Sequence, residues 1–142
     1  MPATITTTDH SLLRLLQLSS ATLPVGSYSF SQGLEHAVEI GWITDEQQTA
    51  AWMELVVRQS IAKVDLPILW RLAHSLETCE IKNFWLWDTT MLACRETKEL
   101  LLNETAMGAA LVRLLKPLLI ELPDTGNKKL SFLSAFVYAG HH

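Results

Sequence analysis

Apolar residues recur along most of this chain at the three-to-four-residue spacing of helices. Leu12, Leu15 and Leu16 share a face of a first helix over roughly 11–20, and Asp9 or Ser11 stands ready to cap it. Leu23-Pro24 closes that stretch, because the residue before a proline resists the helical region. A second helix is predicted from about Ser31 to Ile40, with Gly41 as its stop. Thr44 or Asp45 then caps a third, with Gln47 or Gln48 at the reciprocal position of a capping box. Met53, Val56, Val57, Ile61 and Val64 follow the helical period and are expected to face the core. Asp65-Leu66-Pro67 marks a kink or a fresh start, since proline cannot continue the ladder. Leu69, Trp70, Ala73 and Leu76 carry the pattern on to about Glu77.

From Glu80 to Leu122 the chain again reads as helix. Phe84, Trp87, Met91 and Leu92 make one apolar face, and Leu111, Leu114 and Leu115 make another. Two helices are expected to meet within 97–105. Pro123 to Asn127 is a turn, and a last, strongly apolar helix runs from Lys129 to Ala139. β-branched residues nowhere alternate at period two for long, so the fold class is all-α. The expected architecture is a helical bundle of about five to seven helices over residues 11–142, behind a flexible tail at 1–10.

Composition narrows the function. The chain has 142 residues, enough for one domain with its own core. Its net charge is −4, which argues against nucleic acid or an anionic membrane as the main partner. Charged residues make up only 18%, against a usual share of about 25%, so part of the surface is expected to lie against a partner. Cys79 and Cys94 form no metal-binding spacing and read as reduced thiols of a cytoplasmic protein. No run of apolar residues is long enough for a membrane span.

Candidate chemistry is sparse. The six glycines are scattered and none precedes a phosphate-binding Lys-Ser or Lys-Thr. Gly26-Ser27-Tyr28-Ser29 lacks the second glycine of a nucleophile elbow. His36 and Glu39, or Glu35 and Glu39, can touch one ion, but a metal site needs three or four ligands. The dense feature is Leu23 to Ile43, where a Pro24/Gly26 loop opens onto serines and aromatics. Tyr28, Ser29, Gln32, Gly33 and Glu35 are expected to form a recognition surface there; in the competing reading, Ser29 or Ser31 simply caps the second helix. Arg95 and Glu99, one turn apart inside an apolar region, are expected to form a structural polar pair. Gly108 offers a smooth face where another backbone can come close, within the monomer or from a partner. Of Trp85 and Trp87, at least one is expected to be exposed or covered by a partner.

Three blocks of the chain resemble the urease accessory protein UreF family. The first is Leu15 to Leu18, followed by Leu23-Pro24-Val25-Gly26-Ser27-Tyr28-Ser29-Phe30-Ser31-Gln32-Gly33-Leu34-Glu35 and by Gly41-Trp42. The second is Val64-Asp65-Leu66-Pro67. The third is Ala93-Cys94-Arg95-Glu96-Thr97-Lys98-Glu99-Leu100, then Glu104 and Met107-Gly108. The resemblance runs from Leu12 to about Leu115, and UreF chains continue beyond the point where this one stops. It implies an all-α, dimerising, non-enzymatic subunit for maturation of urease. Such a subunit joins a UreD-type scaffold (also called UreH) and a UreG-type GTPase, and the assembly inserts nickel into the urease apoprotein in the cytoplasm. Nickel and GTP then belong to the complex, and this chain binds no cofactor itself. With later helices missing, Phe132, Leu133, Phe136, Val137 and Tyr138 are expected to lie on a helix with nothing to pack against. The alternatives are an incomplete, non-functional fragment, or a stand-alone helical enzyme built on Glu35, His36 and Arg95.

Overall fold

The computed structural model describes residues 7–26, 33–118 and 129–141. Its elements are α1 (Thr7–Leu18), α2 (Leu34–Glu39), α3 (Glu46–Val56), a π-helical segment (Val57–Asp65), α4 (Leu66–Glu77), α5 (Ile81–Ala93), α6 (Lys98–Leu115), a 3-10 turn (Lys116–Leu118) and α7 (Phe132–His141). The all-α reading is correct. Helix α1 begins at Thr7, inside the stretch expected to be a tail.

Local chemistry places several boundaries. Asp45 is the cap of α3: its carboxylate accepts from the Gln48 backbone N–H at 2.8 Å. The Gln48 Oε1 in turn accepts from the Thr44 N–H at 2.7 Å, so the box closes one residue further out than its usual form. Gly41 lies at φ 78, the left-handed conformation that stops α2. Thr97 caps α6 by accepting from Leu100 N–H at 3.2 Å. Helices α5 and α6 therefore meet at 94–97, just before the interval predicted for the junction.

Pro67 does not break the third helix. It occupies the first turn of α4, where a missing N–H costs little. The preceding residues widen into π winding instead, and the Leu66 N–H reaches back to the Ile61 carbonyl. Arg71 Nη1 donates to the Pro67 carbonyl at 3.0 Å, and its guanidinium lies 4.9 Å above the Trp87 ring, which ties α4 to α5. Trp85 and Trp87 are both half-buried, and it is Leu86 between them that faces out. The expected core face of the third helix is corrected too. Met53 and Val57 are more than half or about half exposed, and neither α3 nor the π segment has a fully buried residue.

The largest correction concerns α7. Far from lying bare, it is the centre of the bundle and touches α1, α4, α5 and α6. Ala135 and Ala139 are fully buried and Val137 nearly so; Phe132, Leu133, Phe136 and Tyr138 pack on the same core. Phe84 of α5, itself fully buried, meets Tyr138 edge-on at 6.2 Å. These side chains, expected to have nothing to pack against, spread around α7. Four helices cover them together.

Gly108 explains how α7 comes so close. A Cβ there would collide with the Leu130 carbonyl oxygen and lie 2.9 Å from the Ser131 carbonyl carbon. The smooth face at Gly108 thus receives a backbone from within the same molecule. Replacing a mid-helix glycine by alanine normally gains up to about 1 kcal/mol of helix stability. Here forced separation of α6 from the 130–132 backbone costs about 1–3 kcal/mol and should outweigh that gain. A denaturant melt of Gly108→Ala is expected to show net destabilisation; a more stable variant would mean the helices separate freely.

Candidate functional site

Two regions carry the polar and exposed features that function can use: a buried charge network, and an outer surface rich in apolar side chains. The network is built on Arg95, in the short link between α5 and α6. Its Nη1 lies 3.1 Å from Asp65 Oδ1, at the end of the π segment, and its Nη2 lies 2.8 Å from Glu104 Oε2 on α6. The Arg95 Nε also donates to Glu104 Oε2, at 3.1 Å, so the guanidinium grips that carboxylate with two of its donors. All three side chains are largely withdrawn from water. The expected pairing with Glu99 is therefore corrected. Glu99 stands exposed in the first turn of α6, where its charge suits the helix N-terminus, and Glu104, five positions further on and on another face of the helix, is the carboxylate aimed inward.

Glu104 has a second task. Its Oε1 accepts from the Leu133 N–H at 3.1 Å, in the first turn of α7. Asp88 of α5 accepts from the Ser131 N–H at 3.0 Å, and Ser131 Oγ accepts from the Ser134 N–H at 3.1 Å. The N-terminus of α7 is thus satisfied by side chains from α5, α6 and its own cap, with two acidic groups at the positive end of the helix dipole. Sequence reasoning singled out Arg95 but missed Asp65, Asp88 and Glu104. Each is a lone acid on an apolar helical face, a signal worth reading for Glu104 and Asp88, which are both buried.

Of the residues expected to form a recognition surface, Tyr28, Ser29 and Gln32 lie outside the described residues. Gly33 is described and stands at the N-cap of α2 in the left-handed conformation at φ 87, while Ser29 and Ser31 lie outside the described residues. A Cβ on Gly33 would stand 3.8 Å from the Trp52 ring of α3. Glu35 is exposed in the first turn of α2. His36 Nδ1 and Glu39 Oε2 approach to 3.7 Å in the open, and among the described residues no third ligand-bearing side chain joins them. Trp42, just past α2, is 71% exposed. Val38, Ile40, Met53, Leu66 and Trp70 are exposed as well, as are Leu12, Leu13, Leu15 and Leu16 along α1. An apolar groove of about 180 Å³ opens between the end of α1 and the end of α6, lined by Leu18, Leu23, Pro24, Leu111, Leu114 and Leu115 together with Gln17. Among the described residues no helix is long and apolar enough to cross a membrane. Cys79 and Cys94 are free and exposed.

A sequence model of the UreF family matches residues 43–142, which include the π segment, the Arg95 network and α7. The chain belongs to the UreF family. It is 45% identical over 138 residues to the urease accessory protein UreF of Marinomonas sp. strain MWYL1, covering 97% of this chain and 60% of that one. The UreF of Citrobacter koseri is 45% identical over 113 residues, or 80% of this chain and 50% of the relative. The UreF of Escherichia coli O157:H7 is 48% identical over 108 residues, or 76% and 48%. The chain thus spans about half the length of the curated relatives it matches. Each of these relatives carries the name urease accessory protein.

The Arg95 network makes a graded prediction. Arg95→Ala leaves Asp65 and Glu104 both uncompensated and is expected to cost about 3–5 kcal/mol in a denaturant melt. Asp65→Asn should cost less, because Glu104 still holds Arg95. Burial pushes the Asp65 carboxyl above its ordinary value of 3.8, and the nearby Arg95 only partly offsets this. Between 3.8 and that raised value the folded state holds the proton more tightly than the unfolded chain. This group's contribution to stability therefore falls as pH rises through that window. Melts of wild type and Asp65→Asn, stepped upward from about pH 3, should show the wild type losing ground to the variant. The opposite trend would mean that Arg95, not burial, governs Asp65.

Proposed function

We propose that this chain serves in the maturation of urease as a non-enzymatic binding subunit of the assembly that inserts nickel into the urease apoprotein. The observation that carries this is membership of the UreF family, over a match that takes in the whole charge network and α7. The exposed aliphatic and aromatic side chains of α1, α3 and α4 support a role through contact. In this reading the partners are a UreD-type (UreH-type) scaffold and a UreG-type GTPase, working on the apoprotein in the cytoplasm. Nickel and GTP are handled by the complex. The chain regulates the GTPase by where it holds it, and it self-associates as a homodimer.

The network around Arg95 is then the frame and the outer surface is the working part. Tyr28, Ser29, Gln32, Gly33 and Glu35 belong to a partner contact, with Glu35 exposed in the first turn of α2. Gly33 suits that place because its left-handed backbone brings the chain close over Trp52 without a side chain in the way.

Co-expression with UreD-type and UreG-type proteins and apo-urease tests the proposal. The chain is expected to co-purify with the scaffold and to raise urease activity in nickel-supplied cells. Tyr28→Ala and Glu35→Ala should each lower that activity while the helical circular dichroism stays unchanged. Failure to co-purify with the scaffold in excess would sink the proposal, and normal activation by both variants would remove the contact from α2 and its loop.

A further inference from the structure

The helical run from Glu46 to Glu77 changes its winding part-way, and this decides which side chains face inward. In unbroken α winding each residue turns about 100°, so Met53, Val57, Ile61, Val64 and Ile68 would share an arc of about 80°. The structure presents a different line. Residues of the π segment turn only about 82° each, at about 4.4 residues per turn, which aligns Trp52, Val56, Ser60, Val64 and Ile68 instead. Ile68 is buried and the other four are half-buried, while Met53 and Val57 are exposed. The two lines share Val64 and Ile68 and diverge before them. The unused line is apolar throughout, whereas the line in use contains Ser60. The chain thus carries two registers, and hydrophobicity alone does not select the one it adopts.

Pro67 selects it. In continuous α winding its ring would press on the Lys63 carbonyl, four positions back. Wider winding sets the residue five back beneath each turn and relieves that clash, as the Leu66 N–H reaching to the Ile61 carbonyl shows. Asp65 lies at the α4 end of the segment, so its 3.1 Å bond to Arg95 suits either register and serves as a pivot. What lies before the segment is loosely held. Neither α3 nor the π segment has a fully buried residue, and α3 makes its main contacts with the π segment itself. Helix α2 is tied to α3 through the Thr44–Gln48 bond and the approach of Gly33 to Trp52. Ala37 and Ile43 are buried, yet outside the main core cluster. Helices α2 and α3 therefore form an arm joined to α4 by the π segment.

We propose that the π segment is a two-register joint, held in its wide winding by Pro67, and that its passage to α winding turns the α2–α3 arm by about 140° on α4. The turn brings Met53 and Val57 inward and carries Val56 out. Gly33 and Glu35 ride on the arm, so the joint sets where the candidate contact face points. That consequence rests on the function proposed above; the joint itself does not.

The test needs no partner. It uses the full chain with Cys79→Ser and Cys94→Ser, which removes both free, exposed thiols. In that background Val57→Cys should be alkylated about tenfold faster than Val56→Cys. Adding Pro67→Ala should reverse the order of the two rates, with helical circular dichroism retained. Rates that keep their order and size after Pro67→Ala would overturn the joint. Two rates that both rise would mean that the segment merely loosens, and this too overturns it. A Val57→Cys thiol already slower than Val56→Cys while Pro67 is present would place the chain in the α register from the start, which contradicts the proposal as well.

Discussion

The first turn of α7 needs partners for its backbone N–H groups in a place where water does not reach, and the structure is arranged around meeting that need. Asp88 reaches from α5, Glu104 from α6, and Ser131 caps the turn from its own chain. An N–H left bare there would cost more than an ordinary hydrogen bond contributes, because it keeps the full penalty of desolvation. Two carboxylates in so dry a setting need compensation of their own. For Glu104 it comes from Arg95, and for Asp88 from the Ser131 N–H and the helix dipole. The network is thus a chain of obligations that starts with one buried helix end.

That chain reaches the other side of the molecule. Arg95 touches Glu104 with one edge and Asp65 with another, so the end of the π segment is held against the link between α5 and α6. Asp65 is the awkward member, since its burial opposes its charge. Placing it at the last turn of the π segment fixes the point where winding returns to α-helical before Pro67. The widened turn, the proline and the ion pair are one piece of local architecture.

Much of this was legible in the residues, and the failures have physical causes. Helix periodicity, the Asp45 cap, the Gly41 stop and the close approach at Gly108 are local signals, and the structure contains each. Met53 and Val57 misled because an unbroken 3.6-residue period was assumed across a segment that winds more widely. The spacing of Arg95 and Glu99 suggests a pair one helical turn apart, but the two lie on different elements and Arg95 grips Glu104. Arg95 bonds to Asp65 across thirty positions, and no spacing rule reaches that far. The bareness expected of α7 rests on the absence of later helices, but α1, α4, α5 and α6 of this chain share the work of covering it. The proposed recognition residues at Tyr28, Ser29 and Gln32 lie outside the described residues, and Glu35 and Gly33 carry that reading alone.

The central place of α7 has a consequence for how the chain comes off the ribosome. The helix that fills the middle of the bundle is the last of the described helices to be synthesised, and its anchors, Asp88 and Glu104, come 43 and 29 residues before the groups they bind. Until α7 emerges, α4, α5 and α6 have an open seam, with Phe84, Leu72 and Leu111 facing the vacancy and Arg95 already paired to a carboxylate awaiting its N–H groups. Helices as short as α4 and α5 are marginal alone, so much of their stability waits on the packing that α7 completes, and the sequence separation of those contacts adds an entropic cost to making them. A pause in translation upstream of Ser131 would prolong that open state, in which the nascent chain is most exposed to wrong partners and most in need of a holding chaperone.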